Sequence, residues 1–172
     1  MSVPSVRPAR PDDAAAIARL RIDTWRAAYA GIVDADVLGG LGVDDADIER
    51  RQQRIREPPP GVHTLVATAD GEVVGFVVVG PTRDDGGAEL TGEVYAIYVD
   101  AAYWGTGIGR QLMAAGLGRL TDEGFRRVTL WVLEGNARAR GFYEAAGMTA
   151  DGQRKLLEMP GETPEIRYAG PL

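Results

Sequence analysis

Apolar residues follow two spacings along this chain, and each spacing predicts a different kind of element. Over residues 11–29 they recur every three to four positions, which places Ile22, Trp25 and Tyr29 on one side of a helix. Shorter apolar runs bounded by polar and glycine residues predict strands. In chain order we expect a strand over 5–9, helices over 11–29, 34–41 and 45–57, strands over 63–80 as a hairpin and 88–100, a helix to about residue 123, a strand over 126–133, a helix over 136–148, and strands over 152–159 and 165–170.

Two of the predicted strands carry specific information about their place in a sheet. Asp70-Gly71 separates two apolar runs, which is the signature of a tight hairpin turn. The strand over 88–100 is apolar at nearly every position from Val94 to Val99, as expected for a strand buried on both faces. The order of elements predicts a mixed α/β fold, and no linker divides it, so we expect one domain over residues 1–172.

Composition narrows the class of protein. The chain has 172 residues, of which 45% are hydrophobic and 26% charged, an ordinary balance for a globular protein. No apolar run approaches the roughly 20 residues of a membrane span, and the first residues lack the apolar core of a secretory signal. Cysteine is absent, which excludes disulfides and thiolate nucleophiles. We therefore expect a cytoplasmic protein without a membrane partner.

Charge and histidine content exclude further functions. The formal net charge of −6 disfavours nucleic acid as a partner, because nucleic-acid binders present basic patches. His63 is the sole histidine, so a histidine-rich metal site is impossible and no metal is expected. A lone histidine is more often a packed or surface residue than a catalyst.

The segment YWGTGIGRQL, residues 103–112, suggests a binding loop. Gly105, Gly107 and Gly109 stand directly before an amphipathic helix, where glycine costs roughly 1 kcal/mol relative to alanine. Bare backbone at a helix N-terminus allows N–H groups to approach a phosphate. The nucleotide P-loop pattern fails for want of a lysine, and the dinucleotide pattern fails at Arg110. A tight turn that serves only packing is the alternative.

A second motif lies downstream of the glycine loop. Asn136 and Tyr143 are seven residues apart, about two helical turns, and so share one face of the predicted helix. Taken singly, the asparagine is more often a helix cap and the tyrosine a packing residue. Their pairing after a buried strand favours a functional role.

The stretch from Glu93 to Met148 resembles the GNAT family of N-acetyltransferases. WGTGIG, residues 104–109, stands where that family has its Gln/Arg-x-x-Gly-x-Gly/Ala signature for acetyl-CoA, and residues 136–148 are similar to the family's fourth helix. Trp104 departs from the pattern, because it occupies the Gln/Arg position. The close similarity covers about a third of the chain, and the order of elements covers nearly all of it.

The resemblance implies a fold and a cosubstrate. The fold is a mixed sheet of six to seven strands flanked by helices, splayed between the fourth and fifth strands. Acetyl-CoA would lie in that splay, with its pyrophosphate on the glycine loop and its pantetheine arm on strand backbone. The implied contacts are Ile97, Tyr98, Val99, Trp104, Gly105, Thr106, Gly107, Ile108, Gly109, Arg110 and Asn136.

The resemblance also implies catalytic roles. Tyr143 matches the tyrosine that protonates the leaving sulfur, and Glu93 matches a glutamate that accepts the amine proton through water. The alternative is that Glu93 only marks an exposed end of the strand. A chain of water molecules would then accept the amine proton in place of a dedicated base. Tyr95 shares the strand face of Glu93 and is a candidate for the acceptor pocket. With no cysteine, and serine only at Ser2 and Ser5, direct transfer in a ternary complex is expected.

The acceptor is expected to be a primary amine of a small molecule or peptide. Trp25, Tyr29 and Tyr168 are candidates for the wall of its pocket, against packing as the alternative. A homodimer would be usual for such a domain. The competing functions are a non-catalytic acyl-CoA-binding module, transfer of another acyl group or to a hydroxyl, and a nucleotide-binding protein.

Overall fold

The structure, a computed structural model, describes residues 4–86, 89–157 and 162–172. Its seven strands are β1 (Ser5–Pro8), β2 (His63–Ala69), β3 (Glu72–Pro81), β4 (Thr91–Val99), β5 (Arg127–Leu133), β6 (Thr149–Leu156) and β7 (Pro164–Pro171). Its α-helices are α1 (Ala14–Ala28), α2 (Ala35–Gly40), α3 (Asp45–Arg56), α4 (Ile108–Asp122) and α5 (Ala137–Ala145).

The strands form one mixed sheet in the order β1-β2-β3-β4-β5-β7-β6. Neighbours are antiparallel except for β4 and β5, which are parallel and pair only through residues 91–93 and 127–129. Beyond that short ladder the two strands separate, although each continues for several residues. The prediction of a mixed sheet splayed between its fourth and fifth strands is confirmed.

Helices cover both faces of the sheet. On one face α4 contacts β2, β3 and β4, and the core there includes Leu112, Leu120 and Val128, each fully buried. On the other face α1 contacts β3 and β4, and Ile17 and Leu20 pack in a second cluster. The apolar stripes of these helices therefore account for the helical spacing in the sequence.

Local signals in the sequence agree with most turns and helix ends. The hairpin turn between β2 and β3 has positive φ at both Asp70 and Gly71, 50° and 86°, as the Asp-Gly pair predicts. The start of α1 differs, because a 3₁₀ turn over residues 11–13 precedes it. Asp13 does not cap α1 with its side chain; its carboxylate instead binds Arg7, with an N–O distance of 2.7 Å.

Two strand boundaries differ from the sequence prediction. β4 begins at Thr91, since residues 89–90 form a turn, and the predicted start at residue 88 lies outside the described residues. β6 begins at Thr149, three positions before the predicted start and two residues after Gly147, which follows α5. The predicted end of β6, residues 158–159, also lies outside the described residues.

Replacing Thr91 with valine is expected to stabilise the fold. The Thr91 hydroxyl is buried and has no hydrogen-bond partner among the described residues. An unsatisfied buried hydroxyl costs on the order of 1 kcal/mol or more, and valine keeps its shape and strand propensity. Thermal unfolding should show a higher Tm. The matched control is Thr129→Val, which removes a buried hydroxyl that bonds the Gly92 carbonyl and should give no gain; equal gains would contradict this explanation.

Candidate active site

A cavity of about 820 Å³ occupies the gap where β4 and β5 separate. Its walls come from α1, β4, the loop before α4, β5, α5, and the strands β6 and β7. Most of the residues predicted from the sequence line it: Trp25, Tyr29, Glu93, Tyr95, Ile97, Tyr98, Val99, Trp104, Gly105, Gly107, Gly109, Arg110, Asn136 and Tyr143. The structure thus gathers two distant motifs around one space.

The glycines of the loop serve two different purposes. Gly107 is the N-cap of α4 and has a φ of 93°, a left-handed conformation that side chains disfavour. Gly109 allows α5 to approach, since a Cβ there would lie 3.3 Å from the Phe142 ring. The first N–H groups of any α-helix lack an intrahelical partner, and Gly107 has no side chain that could bind those of α4. These N–H groups lie at the end of α4 that borders the cavity.

Two predicted contacts of the loop have side chains that are directed elsewhere. Ile108 is 1% exposed and belongs to the core. The Thr106 hydroxyl donates to the Tyr103 carbonyl at 2.6 Å. Both residues lie in the described part of the chain, and neither side chain lines the cavity. A ligand contact at these positions would therefore come from backbone N–H groups.

Trp104, the departure from the family pattern, has a defined position. Its indole N–H donates to the Val99 carbonyl at 2.8 Å, which ties the loop to the end of β4. The Arg138 guanidinium stacks on the indole, 3.6 Å from the ring centroid. Arg138 also lines the cavity, and sequence reasoning missed it, because its place beside Trp104 depends on how α5 docks. Together with Arg110 it gives this end of the cavity two cations.

A bulge in β4 determines where its side chains lie. Val79 pairs with Val94 and Val78 with Ala96, so Tyr95 is an extra residue in the strand. After the bulge, Ile97 and Val99 pack toward the core under α4, whereas Tyr98 packs with the cluster under α1.

The Tyr98 hydroxyl connects β4 to α1. It accepts a hydrogen bond from the Trp25 indole at 2.8 Å. Burial, together with its neighbours Tyr98 and Tyr143, raises the pKa of Tyr29 strongly, so its phenol stays neutral. Trp25 and Tyr29 are in edge contact, with ring centroids 5.0 Å apart. These aromatic groups form the α1 side of the cavity.

Glu93 is buried and paired. It is 1% exposed, and one carboxylate oxygen accepts the Arg83 backbone N–H at 2.8 Å while the other binds the Arg83 guanidinium. Tyr95 lies on the same side, with the Arg83 guanidinium 4.0 Å from its ring centroid. The Tyr95 hydroxyl donates to the Pro81 carbonyl. Glu93 is thus not an exposed strand end.

Asn136 and Tyr143 lie on α5 and both line the cavity. The Asn136 side chain caps the helix, accepting the Ala139 N–H at 3.1 Å. Tyr143 is 8% exposed and lines the cavity, and no hydrogen bond joins its hydroxyl to another described residue. Burial raises the pKa of Tyr143 well above its usual value, so the phenol holds its proton. It is a buried acid with an open donor.

Tyr168 does not line this cavity, in contrast to its prediction as part of the acceptor wall. It is 1% exposed in the core, and its hydroxyl donates to Glu144 at 2.7 Å on the α5 side of the sheet. Its position in β7 places it on the opposite face from the α1 aromatics. His63 lies at the surface, where its ring is 2.7 Å from Glu123.

Metal-binding clusters and membrane-spanning helices are both missing from the described residues. No group of three or more histidine, cysteine, aspartate or glutamate side chains is arranged to hold a metal ion there. In the part of the chain that the structure describes, every helix is too short or too polar to cross a membrane.

The splayed sheet, the glycine loop and the open phenol define an acyltransferase architecture, and sequence comparison identifies the family. The sequence model of the acetyltransferase (GNAT) family matches residues 17–148. The chain belongs to this family. It is 32% identical over 141 residues to YuaI, an uncharacterized N-acetyltransferase of Bacillus subtilis, covering 82% of this chain and 78% of that protein.

Other similar proteins differ more in length or sequence. The mycothiol acetyltransferase of Amycolatopsis mediterranei is 38% identical over 114 residues, covering 64% of this chain but only 36% of that longer protein. Among solved structures, the PaiA N-acetyltransferase of Thermoplasma acidophilum in complex with coenzyme A has a TM-score of 0.76 at 17% identity, covering 99% of this chain and 100% of that one. This chain therefore has the same fold as the PaiA enzyme.

Proposed function

We propose that this protein transfers an acetyl group from acetyl-CoA directly to a primary amine in a ternary complex. The observation that carries the proposal is the single cavity in the β4–β5 gap, which joins an anion-binding helix terminus to an unpaired buried phenol among the described residues. A donor and an acceptor can meet there without a covalent enzyme intermediate. Family membership supports the reaction class.

The loop end of the cavity suits the phosphates of coenzyme A. The N–H groups of the first turn of α4 supply a partial positive charge of roughly half a unit. Arg110 and Arg138 add two full charges on the same wall. The gap also leaves the β5-facing backbone groups of β4 beyond residue 93 without strand partners, which suits the amides of the pantetheine arm. Asn136 would lie beside that arm.

Tyr143 would supply the proton that the reaction needs at sulfur. The neutral amine attacks the thioester carbonyl carbon, a C–N bond forms, and the C–S bond breaks. The Tyr143 hydroxyl gives its proton to the leaving sulfur, so coenzyme A departs as a thiol. Backbone N–H groups at Ile97 to Val99 would polarise the carbonyl, a contribution of about 3 kcal/mol per donor in comparable sites.

The amine must lose a proton before or during attack, and Glu93 is the residue proposed to receive it through water. Its carboxylate lines the cavity but both oxygens are engaged by Arg83. Because both oxygens already accept hydrogen bonds from Arg83, we place a water between the amine and this carboxylate.

Replacing Glu93 with glutamine should lower kcat/KM for the amine by about 100-fold, the usual size of a general-base contribution. Glutamine keeps the shape and can still accept the Arg83 backbone N–H. The measurement is steady-state thiol release across pH, with acetyl-CoA affinity as the control. An unchanged rate would assign the proton to a water chain alone.

Calorimetry tests the cosubstrate. The native protein should bind acetyl-CoA in the micromolar range, and ATP and NAD at least ten-fold more weakly. Equal binding of ATP would favour the nucleotide-binding alternative. No acetyl-CoA binding by the folded protein would end the acetyltransferase proposal.

We propose the acceptor only as a chemical class, a primary amine. Several relatives are named mycothiol acetyltransferases, which is consistent with an amine of a small molecule, although this chain spans little more than a third of their length. Transfer of a different acyl group, or binding without turnover, remain alternatives that kinetics would separate. Cytoplasmic location, a single domain and a homodimer stay predictions.

A further inference from the structure

A second carboxylate lines the cavity, and sequence reasoning did not single it out. Glu165 lies in β7, opposite Leu133 of β5 and Lys155 of β6. Its side chain is 13% exposed and lines the same cavity as Glu93. It became visible only in the structure, because its neighbours come from strands distant in sequence.

The two carboxylates differ in how far their oxygens are satisfied. Glu93 receives a backbone N–H and a guanidinium from Arg83. Glu165 forms one ion pair, with Lys155, whose Nζ lies 3.9 Å from Oε2, and the charge of Arg83 also acts on it. No described residue donates a hydrogen bond to the Glu165 carboxylate. A half-buried carboxylate without a hydrogen-bond donor gains from a cationic partner, so Glu165 is a group in this cavity that a cationic ligand would satisfy.

The electrostatic setting agrees with an open acceptor. Burial raises the pKa of Glu165, and Glu93 raises it further, whereas Lys155 and Arg83 oppose the shift. Its negative charge also contributes to the raised pKa of Tyr29, and both residues line the cavity. Glu165 is therefore an ionisable carboxylate in the cavity that the aromatic groups of α1 also line.

Aromatic surface near Glu165 suits the carbon atoms next to an ammonium group. Tyr29 and Trp25 line the α1 side, and Trp131 of β5 lines the same cavity. Lys155 already lies over the Trp131 ring, 4.2 Å from its centroid, which shows that a primary ammonium group fits against this wall.

We propose that Glu165 binds the ammonium group of the acceptor, so the enzyme selects primary amines that are protonated in water over neutral arylamines and alcohols. The inference rests on the proposed function. Glu165 acts here in binding and orienting the acceptor; the later loss of the proton is the step assigned above to Glu93 and water.

Carboxyl-observed NMR tests the site without turnover. Protein labelled with ¹³C at glutamate carboxyls and saturated with coenzyme A is titrated with butylammonium chloride, then with butanol. One resonance, assigned by its absence in Glu165→Gln, should shift saturably with the ammonium and stay still with the alcohol. A resonance that moves with neither, in protein that binds coenzyme A normally, overturns the ammonium site and leaves the proposed function intact. Failure to bind coenzyme A would count against both.

Kinetics give a second readout on the best amine from a screen. Glu165→Gln should raise KM for the amine about 10- to 100-fold, the usual effect of losing one charge-assisted bond, with KM for acetyl-CoA unchanged. In the native enzyme, amine affinity should fall as the Glu165 carboxylate is protonated, at a pH above the ordinary pKa of glutamate. This fall in affinity should be absent from the variant.

The control is Glu134→Gln, which removes an exposed carboxylate paired with Arg154. An equal change in both variants, or none in either, would overturn the proposal.

Discussion

Replacing Gly107 with glutamate is expected to weaken acetyl-CoA binding at least about 100-fold. The new side chain would begin at the N-terminus of α4, where free N–H groups and a partial positive charge favour the binding of an anion. Its carboxylate would repel a pyrophosphate. A Cβ at this position would lie 3.7 Å from the Arg110 guanidinium, so the variant would neutralise that cation as well. Calorimetry with acetyl-CoA measures the loss.

Two controls separate charge from strain and from general effects of a new carboxylate. Gly107→Ala carries only the cost of a side chain at a φ of 93°, roughly 1–2 kcal/mol of folding stability, and should retain most of the affinity. Gly118→Glu places the same charge on the exposed side of α4, where a Cβ has open space, and should bind normally. If Gly107→Glu bound like the native protein, the helix terminus would not be the phosphate site.

Replacing Tyr143 with phenylalanine is expected to lower kcat by about 10²- to 10³-fold while leaving acetyl-CoA affinity unchanged. The ring keeps its packing, and only the hydroxyl, which lacks a partner among the described residues, is lost. Because burial raises the pKa of Tyr143, the native phenol stays protonated through neutral and mildly alkaline pH. Stopped-flow detection of thiol release would show the change in the chemical step.

Tyr168→Phe is the matched control for the Tyr143 variant. The two rings lie 6.2 Å apart, but the Tyr168 hydroxyl is hydrogen-bonded to Glu144 and Arg140 of α5. Its removal should lower Tm and leave kcat within about two-fold of the native value, because this hydroxyl does not reach the cavity. A Tyr143→Phe enzyme with full kcat would show that water protonates the thiolate and that the phenol is a packing group.

The elements of the fold were predictable because their signals are local. The Asp70-Gly71 turn, the apolar run of β4 and the helical spacing of α1 each depend on a few neighbouring residues. The glycine loop was predictable for the same reason, although its glycines differ in purpose. Gly107 adopts a left-handed conformation, whereas Gly109 makes room for Phe142 across the α4–α5 contact.

The rest of the site depends on register between distant strands, which no local pattern encodes. The extra residue at Tyr95 resets the faces of β4, so simple alternation cannot place Tyr98. Arg83 joins Glu93 only because the β3–β4 connection returns beside it. The prediction for Tyr168 fails because an isolated aromatic residue in a strand does not indicate which residues it will pack against.

Turnover by the native protein decides whether the acetyl group passes directly from acetyl-CoA to an amine. Acetyl-CoA is incubated with a panel of primary amines, the thiol is measured as it is released, and the products are identified by mass spectrometry. We expect thiol release only with an amine present, matched one to one by N-acetylated product, and no acetylated protein. Binding of acetyl-CoA without any acetylated amine, or acetylation of the protein itself as an intermediate, would contradict direct transfer.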